Sequence, residues 1–286
     1  MSTLSSTPSA PARTSSAPTT SPSDRRLSLR RTWSLASAEL RLLLRNRALL
    51  FYSAGLPILA GLFMLRVLPD SGESTQMQAT RLIVTITGFA LLFGVYYSLV
   101  STFVARRQDL VLKRLRSGES SVLDVLTSIS LPSMLTMIVQ AVVAAVLAAV
   151  LVDTYTPVNV ALVVVAVLGG GIVVALLAAV SSAFSSTVES VQVTTLPLIL
   201  VLMAAPGFAV PASVMPDTFL AVARFLPMSP VVELIELGIA GVDRSGEVLD
   251  LAGTFSAAAL PVAVLVAWGA IGVWATIRYF RWEPRR

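Results

Sequence analysis

Charged residues that could bind a partner are concentrated in one short segment, residues 106–118. It reads Arg-Arg-Gln-Asp-Leu-Val-Leu-Lys-Arg-Leu-Arg-Ser-Gly. Its leucines can form an apolar ridge on a short helix, with basic side chains around the ridge and Gly118 at its end. Held between two apolar segments, such a helix is suited to receive force from a protein partner. From charge alone, an ordinary basic loop beside a membrane is the favoured interpretation. The candidate contact residues are Arg106, Arg107, Asp109, Leu112, Lys113, Arg114, Leu115 and Arg116.

The residue types on which most catalysis and metal binding depend are missing from the sequence. It has no histidine and no cysteine, so the commonest general base, thiolate nucleophiles and the usual zinc ligands are absent. It also has no Gly-x-x-x-x-Gly-Lys-Ser/Thr loop for ATP phosphates. Asp124, Asp153, Glu189 and Arg66 fall near the ends of apolar segments, not in their middles. We therefore expect no bound cofactor or metal, no ATP hydrolysis, and no carboxylate relay of the kind that drives secondary transporters.

The elements that position the basic segment are predicted to be membrane helices. Of the 286 residues, 55% are hydrophobic and 13% are charged, whereas soluble domains carry about 25% charge. A membrane-spanning helix needs about 20 mainly apolar residues. We therefore predict an all-α integral membrane protein with about six transmembrane helices. The predicted spans are 48–68, 82–105, 122–152, 158–184, 191–210 and 253–277.

The distribution of basic residues predicts the orientation of these spans. If the N-terminus is cytoplasmic, all but four of the 21 lysines and arginines lie on the cytoplasmic side. This is the bias that the positive-inside rule describes, and it places both termini in the cytoplasm. It also explains the net charge of +5 without a nucleic-acid partner. The four exceptions are Arg66, Arg81, Arg224 and Arg244.

Outside the spans, the sequence predicts three kinds of segment. Residues 1–26 form a Ser/Thr/Pro-rich tail that we expect to be disordered and cytoplasmic, residues 27–280 form the membrane domain, and residues 281–286 form a short basic tail. Apolar residues around Trp33 and Leu40 recur at 4-3-4-3 spacing, which predicts an amphipathic helix. That helix either lies at the membrane interface or extends the first span. Residues 215–240 are expected to form short helices that dip into the outer leaflet.

A second group of residues could line a path for a substrate. Aromatic residues in the second span could contact an apolar molecule, and one strongly polar residue lies deep in the third span. Packing between helices is the commoner role for such side chains. The same holds for Gly169–Gly171, which could form a hinge but more often allow close helix contact. The candidate pathway residues are Phe89, Phe93, Tyr96, Tyr97 and Gln140.

The basic segment resembles the coupling region of ABC exporter permeases of the second type. Residues 111–116, after the second of six predicted spans, resemble the core of the family pattern, although Ser117-Gly118 stands where many members have Thr-Pro. Family members also begin with an amphipathic connecting helix, and they carry a Pro-rich stretch before the last span that residues 226–234 resemble. The resemblance covers about residues 27–280. In the connecting helix it rests on Trp33, Glu39, Leu40 and Arg45.

The resemblance implies a transport function that depends on other subunits. Two permease subunits, identical or related, would form the pathway, and two ATP-binding subunits that hold ATP and Mg would press on the coupling helices. The substrate would be amphiphilic or apolar, with drug or antibiotic efflux favoured. Separately, arginine outnumbers lysine 20 to 1, which indicates a GC-rich bacterial gene and hence a bacterial inner membrane. The main alternative is a non-transporting membrane scaffold or immunity subunit. A secondary transporter and a membrane-embedded enzyme are less favoured.

Overall fold

The computed structural model describes residues 51, 55–67, 74–109, 122–152, 155–210 and 212–280. The predicted N-terminal tail, the predicted connecting helix and the tail after residue 280 lie outside these residues. So do residues 110–118, which are most of the basic segment.

The described part of the chain is helical and contains no β-strand, only isolated bridges. A π-helical stretch, Ala90–Tyr97, interrupts the second helix, and a short 3-10 turn covers Ala212–Val214. The α-helices are α1 Leu56–Val67, α2 Thr75–Gln108, α3 Val122–Leu151, α4 Val160–Ser182, α5 Val188–Met203, α6 Asp217–Ala223, α7 Ser229–Ile239, α8 Leu251–Ala257 and α9 Ala259–Tyr279.

Four of these helices, α2, α3, α4 and α9, are long and apolar enough to cross a membrane. The prediction of an all-helical membrane protein is confirmed. The first and fifth predicted spans coincide with helices of 12 and 16 described residues. The predicted end of the fifth span at residue 210 is wrong, because α5 ends at Met203. Pro206 and Gly207, whose φ is +79°, turn the chain there.

Helix α2 is the central element of the bundle. Within its most apolar 18 residues, 83% are buried, compared with 22% in α3, 39% in α4 and 28% in α9. It is also the least hydrophobic of the four, because a helix enclosed by protein does not need an apolar outer surface. By contrast α3 presents Val139, Val142, Val146 and Val150 at helical spacing on its exposed face. That valine stripe is suited to contact lipid tails.

The three consecutive glycines of α4 are helix contacts. A Cβ atom on Gly169 would lie 2.5 Å from Leu265 of α9, and one on Gly170 would lie 2.6 Å from Val231 of α7. A Cβ on Gly171 would lie 2.8 Å from the sulfur of Met134 in α3. Each glycine therefore lets a different neighbour approach the α4 backbone, as small residues do in membrane bundles. This arrangement supports the packing interpretation over the hinge.

Helices α6 and α7 form a hairpin that does not cross the bundle; α6 is mostly exposed, and α7 packs against the bundle. Val231, near the start of α7, packs against Gly170, about halfway along α4, whereas Gly238 near its end packs against Asn159, just before α4 begins. Trp268, near the middle of α9, donates a 2.8 Å hydrogen bond to the carbonyl of Phe225 at the hairpin tip. The short helices predicted for this region are present, and their tip reaches the middle of the bundle.

Replacement of Gly170 tests the importance of this close packing. We expect Gly170→Ala to lower stability by about 1–3 kcal/mol, because the new methyl group would overlap Val231. Thermal unfolding of the purified protein in detergent measures the effect. Gly269→Ala is the matched control, since a Cβ there meets nothing within 4 Å. Equal melting temperatures for the two variants would contradict the packing role.

Candidate functional site

The basic segment begins at an end of the bundle that is held together by Arg107. This arginine is only 2% exposed. Its guanidinium donates one hydrogen bond of 2.9 Å to the carbonyl of Ser182 and a second, short one to the carbonyl of Ser185. Both acceptors lie where α4 ends, and unpaired carbonyls at a helix C-terminus favour a cationic donor. Arg107 therefore ties the end of α2 to the α4–α5 turn.

The structure gives the predicted contact residues of this segment different surroundings. Arg107 is buried, Arg106 is half-buried, and Asp109 is exposed. Leu112, Lys113, Arg114, Leu115 and Arg116 lie outside the described residues. Sequence reasoning grouped Arg107 with the partner-facing charges and missed its internal contacts. The missed signal was spacing, because Val100, Phe103, Val104 and Arg107 follow the i, i+3, i+4, i+7 pattern of one buried helix face.

The candidate pathway residues divide into a half-buried aromatic stripe and an interior pair. Phe89, Phe93 and Tyr97 are half-buried and recur every four residues along α2. The rings of Phe89 and Phe93 stack with their centroids 5.9 Å apart. Tyr96 is fully buried, and its hydroxyl lies 3.1 Å from Ser181 Oγ. Gln140 is 3% exposed. The aromatic stripe, defined as Phe89, Phe93 and Tyr97, therefore retains access to a molecule beside α2.

The π-helical stretch helps to keep the three rings of the stripe on one face of α2. With more than four residues per turn, a π-helix keeps residues four apart closer to one face than an α-helix does. Phe93 and Tyr97 lie inside this stretch, and Phe89 immediately precedes it. The stripe continues toward the hairpin through Phe208, whose ring meets Phe89 edge-on at 5.2 Å and packs on Gly88.

Two carboxylates lie on α7, and one of them lies beside the turn that leads to the aromatic stripe. Glu233 on α7 forms a 2.8 Å salt bridge with Arg244. One turn further along α7, Oε1 of Glu236 lies beside Gly207, where a Cβ atom would be only 2.8 Å away. Gly207 directly precedes Phe208, so the turn after α5 connects the carboxylate to the aromatic rings. Within the described residues, the side-chain carboxylate of Glu236 has no hydrogen bond and no salt bridge.

The electrostatics of the two carboxyl groups differ accordingly. Burial raises the pKa of Glu233, although Arg244 opposes the shift. Burial, with the adjacent charge of Glu233, raises the pKa of Glu236 to about 7. Neither residue belongs to a membrane span. The spans were expected to hold no charge at mid-depth. The two glutamates do not contradict this expectation, because they lie on the hairpin and not on a span. Both glutamates belong to the segment, residues 215–240, that was predicted to dip into the outer leaflet, but hydropathy could not show which neighbours their carboxyl groups would meet.

The rigid attachment of α7 keeps Glu236 in place. Gln76, at the start of α2, donates one hydrogen bond to the carbonyl of Thr156 at 2.6 Å and another to the carbonyl of Ile239. The backbone N–H of Asn159 donates to the carbonyl of Gly238 at 2.8 Å. The end of α7 is therefore bound to both α2 and the start of α4.

An apolar crevice opens close to the basic end of the bundle. It has a volume of about 170 Å³ and lies between α2, α3 and α4. Phe103, Leu126 and Ala179 line the part nearest Arg107, and Met134 and Ile172 line the part nearest the bundle centre. Its walls provide surface for an acyl chain or another apolar group.

Together these features define a multi-pass membrane protein of the permease class. Residues 56–278 match the family model described as ABC-2 family transporter protein. The chain therefore belongs to the ABC-2 transporter family, and its resemblance to ABC type-2 permeases is confirmed. Such permeases are typically non-catalytic subunits that associate with an ABC ATPase. Comparison with curated proteins and with solved structures gives no match.

Substitution of Arg107 tests its role as an internal tie. We expect Arg107→Gln to destabilise the protein by about 2–4 kcal/mol, because buried carbonyls lose charge-assisted donors. Thermal unfolding and protease sensitivity of the α4–α5 turn measure the loss. Gln108→Ala, at the adjacent exposed position, should change neither. Identical stability of the two variants would contradict the tie.

The pKa of Glu236 predicts how stability depends on pH. A carboxyl whose pKa is higher in the folded than in the unfolded state makes folding less favourable as pH rises between the two values, here from about 4.5 to about 7. Glu236→Gln removes this loss. The variant should match the original protein at pH 5 and melt a few degrees higher at pH 8. An unchanged difference between the two proteins at both pH values would rule this out.

Proposed function

We propose that this chain is the permease subunit of an ABC exporter that moves amphiphilic substrates, with drugs or antibiotics as the favoured class. A separate ATP-binding subunit, which holds ATP and Mg, supplies the energy. The carrying observation is the family match over residues 56–278. The permease assignment supports a location in the cell membrane, and the composition favours a bacterial inner membrane.

The proposed topology has six spans with both termini in the cytoplasm. Helices α2, α3, α4 and α9 supply four of them. The 16 residues of α5 cover roughly 24 Å, which approaches the thickness of the hydrocarbon core, and α1 lies within the first predicted span, 48–68. In this arrangement Arg107 and the basic segment face the cytoplasm, as the positive-inside rule requires.

The Arg107 tie supports a route by which ATP-driven movement would reach the membrane domain. A partner that presses on residues 106–118 moves the end of α2, and Arg107 transfers that movement to the α4–α5 turn. Coupled shifts of α2, α4 and α5 would then open the space between two permease subunits. For this to occur, ATP must favour one conformational state of the complex over the other.

Co-purification tests the partner and the coupling segment together. We expect a near-stoichiometric protein with an ATP-binding loop to accompany the tagged permease from mild detergent, identified by mass spectrometry. Arg114→Glu combined with Arg116→Glu should lower recovery of that partner at least tenfold and abolish export, while membrane insertion is unchanged. Arg285→Glu combined with Arg286→Glu makes the same charge change elsewhere on the proposed cytoplasmic side and should keep both.

Two outcomes would overturn the proposal. Normal export by the Arg114/Arg116 variant would show that these residues do not couple the permease to an ATPase. A preparation that contains no ATP-binding partner, even after crosslinking, would favour the non-transporting scaffold or immunity subunit instead.

A further inference from the structure

We propose that Glu236 and the aromatic stripe form a binding site for amphiphilic organic cations. The carboxylate would hold the positively charged group, and the rings of α2 would hold the apolar body. This inference rests on the proposed function and deepens it, since it assigns a charge to the substrate class. The site lies where α7 meets the turn after α5, outside the candidate membrane spans.

The first support is the incomplete neutralisation of Glu236. Its neighbour Glu233 is joined to Arg244 at 2.8 Å, and the carboxylate of Glu236 has no hydrogen bond or salt bridge within the described part of the chain. An ionised carboxylate in such a place is costly unless a cation or proton accompanies it. Glu236 nevertheless keeps partial solvent exposure, so a ligand can reach it.

The second support is the scarcity of opposing charge on the surrounding helices. Helix α4 contains no charged residue, α9 contains only Arg278 at its far end, and the first half of α2, Thr75–Phe89, contains only Arg81. Among the groups close to the hairpin, Arg224 and Asp243 act on Glu233, and Arg244 acts on both glutamates. Because Arg244 forms a salt bridge with Glu233, Glu236 is the glutamate of α7 whose negative charge is not paired.

The third support is the aromatic surface that begins beside the carboxylate. Gly207 contacts Glu236, and the next residue, Phe208, packs edge-on against Phe89 at the end of the stripe. Aromatic faces attract cations through their quadrupoles, and they also bury apolar groups. The buried ring of Phe208, which is 3% exposed, links the carboxylate to the half-buried rings. This combination matches a molecule with one positive charge and an apolar, often aromatic, body.

The absence of a side chain at position 207 keeps the carboxylate in this position. A Cβ there would lie 2.8 Å from Oε1 of Glu236 and 3.3 Å from Cγ1 of Val232. The residue also has a positive φ of +79°, which favours glycine. Gly207 thus combines the turn that ends α5 with space for the acidic group.

Equilibrium binding of two probes of equal size tests the site. Tetraphenylphosphonium is a lipophilic cation, and tetraphenylborate is its anionic counterpart. Binding of each is measured at pH 8 to the full-length protein in lipid nanodiscs. We expect Glu236→Gln to weaken tetraphenylphosphonium binding about tenfold or more, since a partly buried charge pair is lost. Tetraphenylborate binding should stay the same or strengthen.

Two further variants separate the site from general electrostatics and from misfolding. Glu247→Gln makes the same charge change at an exposed position in the same loop region and should leave binding of both probes unchanged. Arg244→Gln removes the competing cation and should strengthen tetraphenylphosphonium binding several-fold. This opposite sign keeps the proposal testable even if Glu236→Gln does not yield folded protein.

The possible results distinguish this inference from the proposed function. Equal tetraphenylphosphonium binding by the original protein and by Glu236→Gln would overturn the site, since the carboxyl would then hold only a proton. Parallel loss of both probes would also overturn it, because the change would be structural. Glu236-dependent cation binding without a co-purifying ATPase would keep the site and refute the exporter assignment.

Discussion

The close contact of three helices with the glycines of α4 is the constraint on which the bundle depends. Within a membrane, helices gain little from leaving lipid for protein, because lipid tails are as apolar as leucine. Association then relies on dense van der Waals contact, and Gly169, Gly170 and Gly171 bring α9, α7 and α3 against one backbone. The same contact positions the hairpin, since Val231 is seated on Gly170. The location of Glu236 therefore follows from a packing requirement in the middle of α4.

The two ends of the bundle use charge in different ways. At one end, Arg107 uses its charge internally, against carbonyl groups that α4 leaves unpaired. At the other end, Arg244 neutralises Glu233 and leaves Glu236 without a comparable partner. A buried charge that is hydrogen-bonded to the protein holds elements together, whereas one that lacks a partner favours ligand or proton binding. By this criterion Arg107 is a structural group, and Glu236 is suited to the proposed binding site.

Much of the fold follows from sequence because hydropathy is strong along the spans. The helices α2, α3, α4 and α9 lie where runs of apolar residues predict them. The early end of α5 was not predicted, because Met203 and Val210 are both apolar and only the Pro206-Gly207 turn separates them. The short helices of the hairpin were predicted to dip into the outer leaflet, but the depth that they reach was not predicted. An 11-residue helix such as α7 is too short to score as a span, and its depth depends on contacts with Gly170 and Trp268.

The candidate site was only partly accessible to sequence reasoning. The aromatic residues of α2 were predicted from type and position, but sequence alone could not distinguish Phe93, which is half-buried, from Tyr96, which is enclosed. Glu236 was not singled out from the sequence, because its proximity to Gly207 depends on two segments 29 positions apart. Arg107 could have been separated from the other basic residues by helical spacing. The contact with Ser182 and Ser185 required coordinates.

The hairpin has a consequence for how such a protein can diversify. Insertion into the bilayer is decided by the hydrophobicity of the spanning helices, and α6 and α7 contribute no span. Charge substitutions in the hairpin therefore avoid the insertion penalty that the same changes would incur in α3 or α9. Its residues can vary while biogenesis and the lipid-facing surface stay constant. A duplicated gene could thus acquire a new range of transported molecules through a few hairpin replacements, with the membrane scaffold inherited intact.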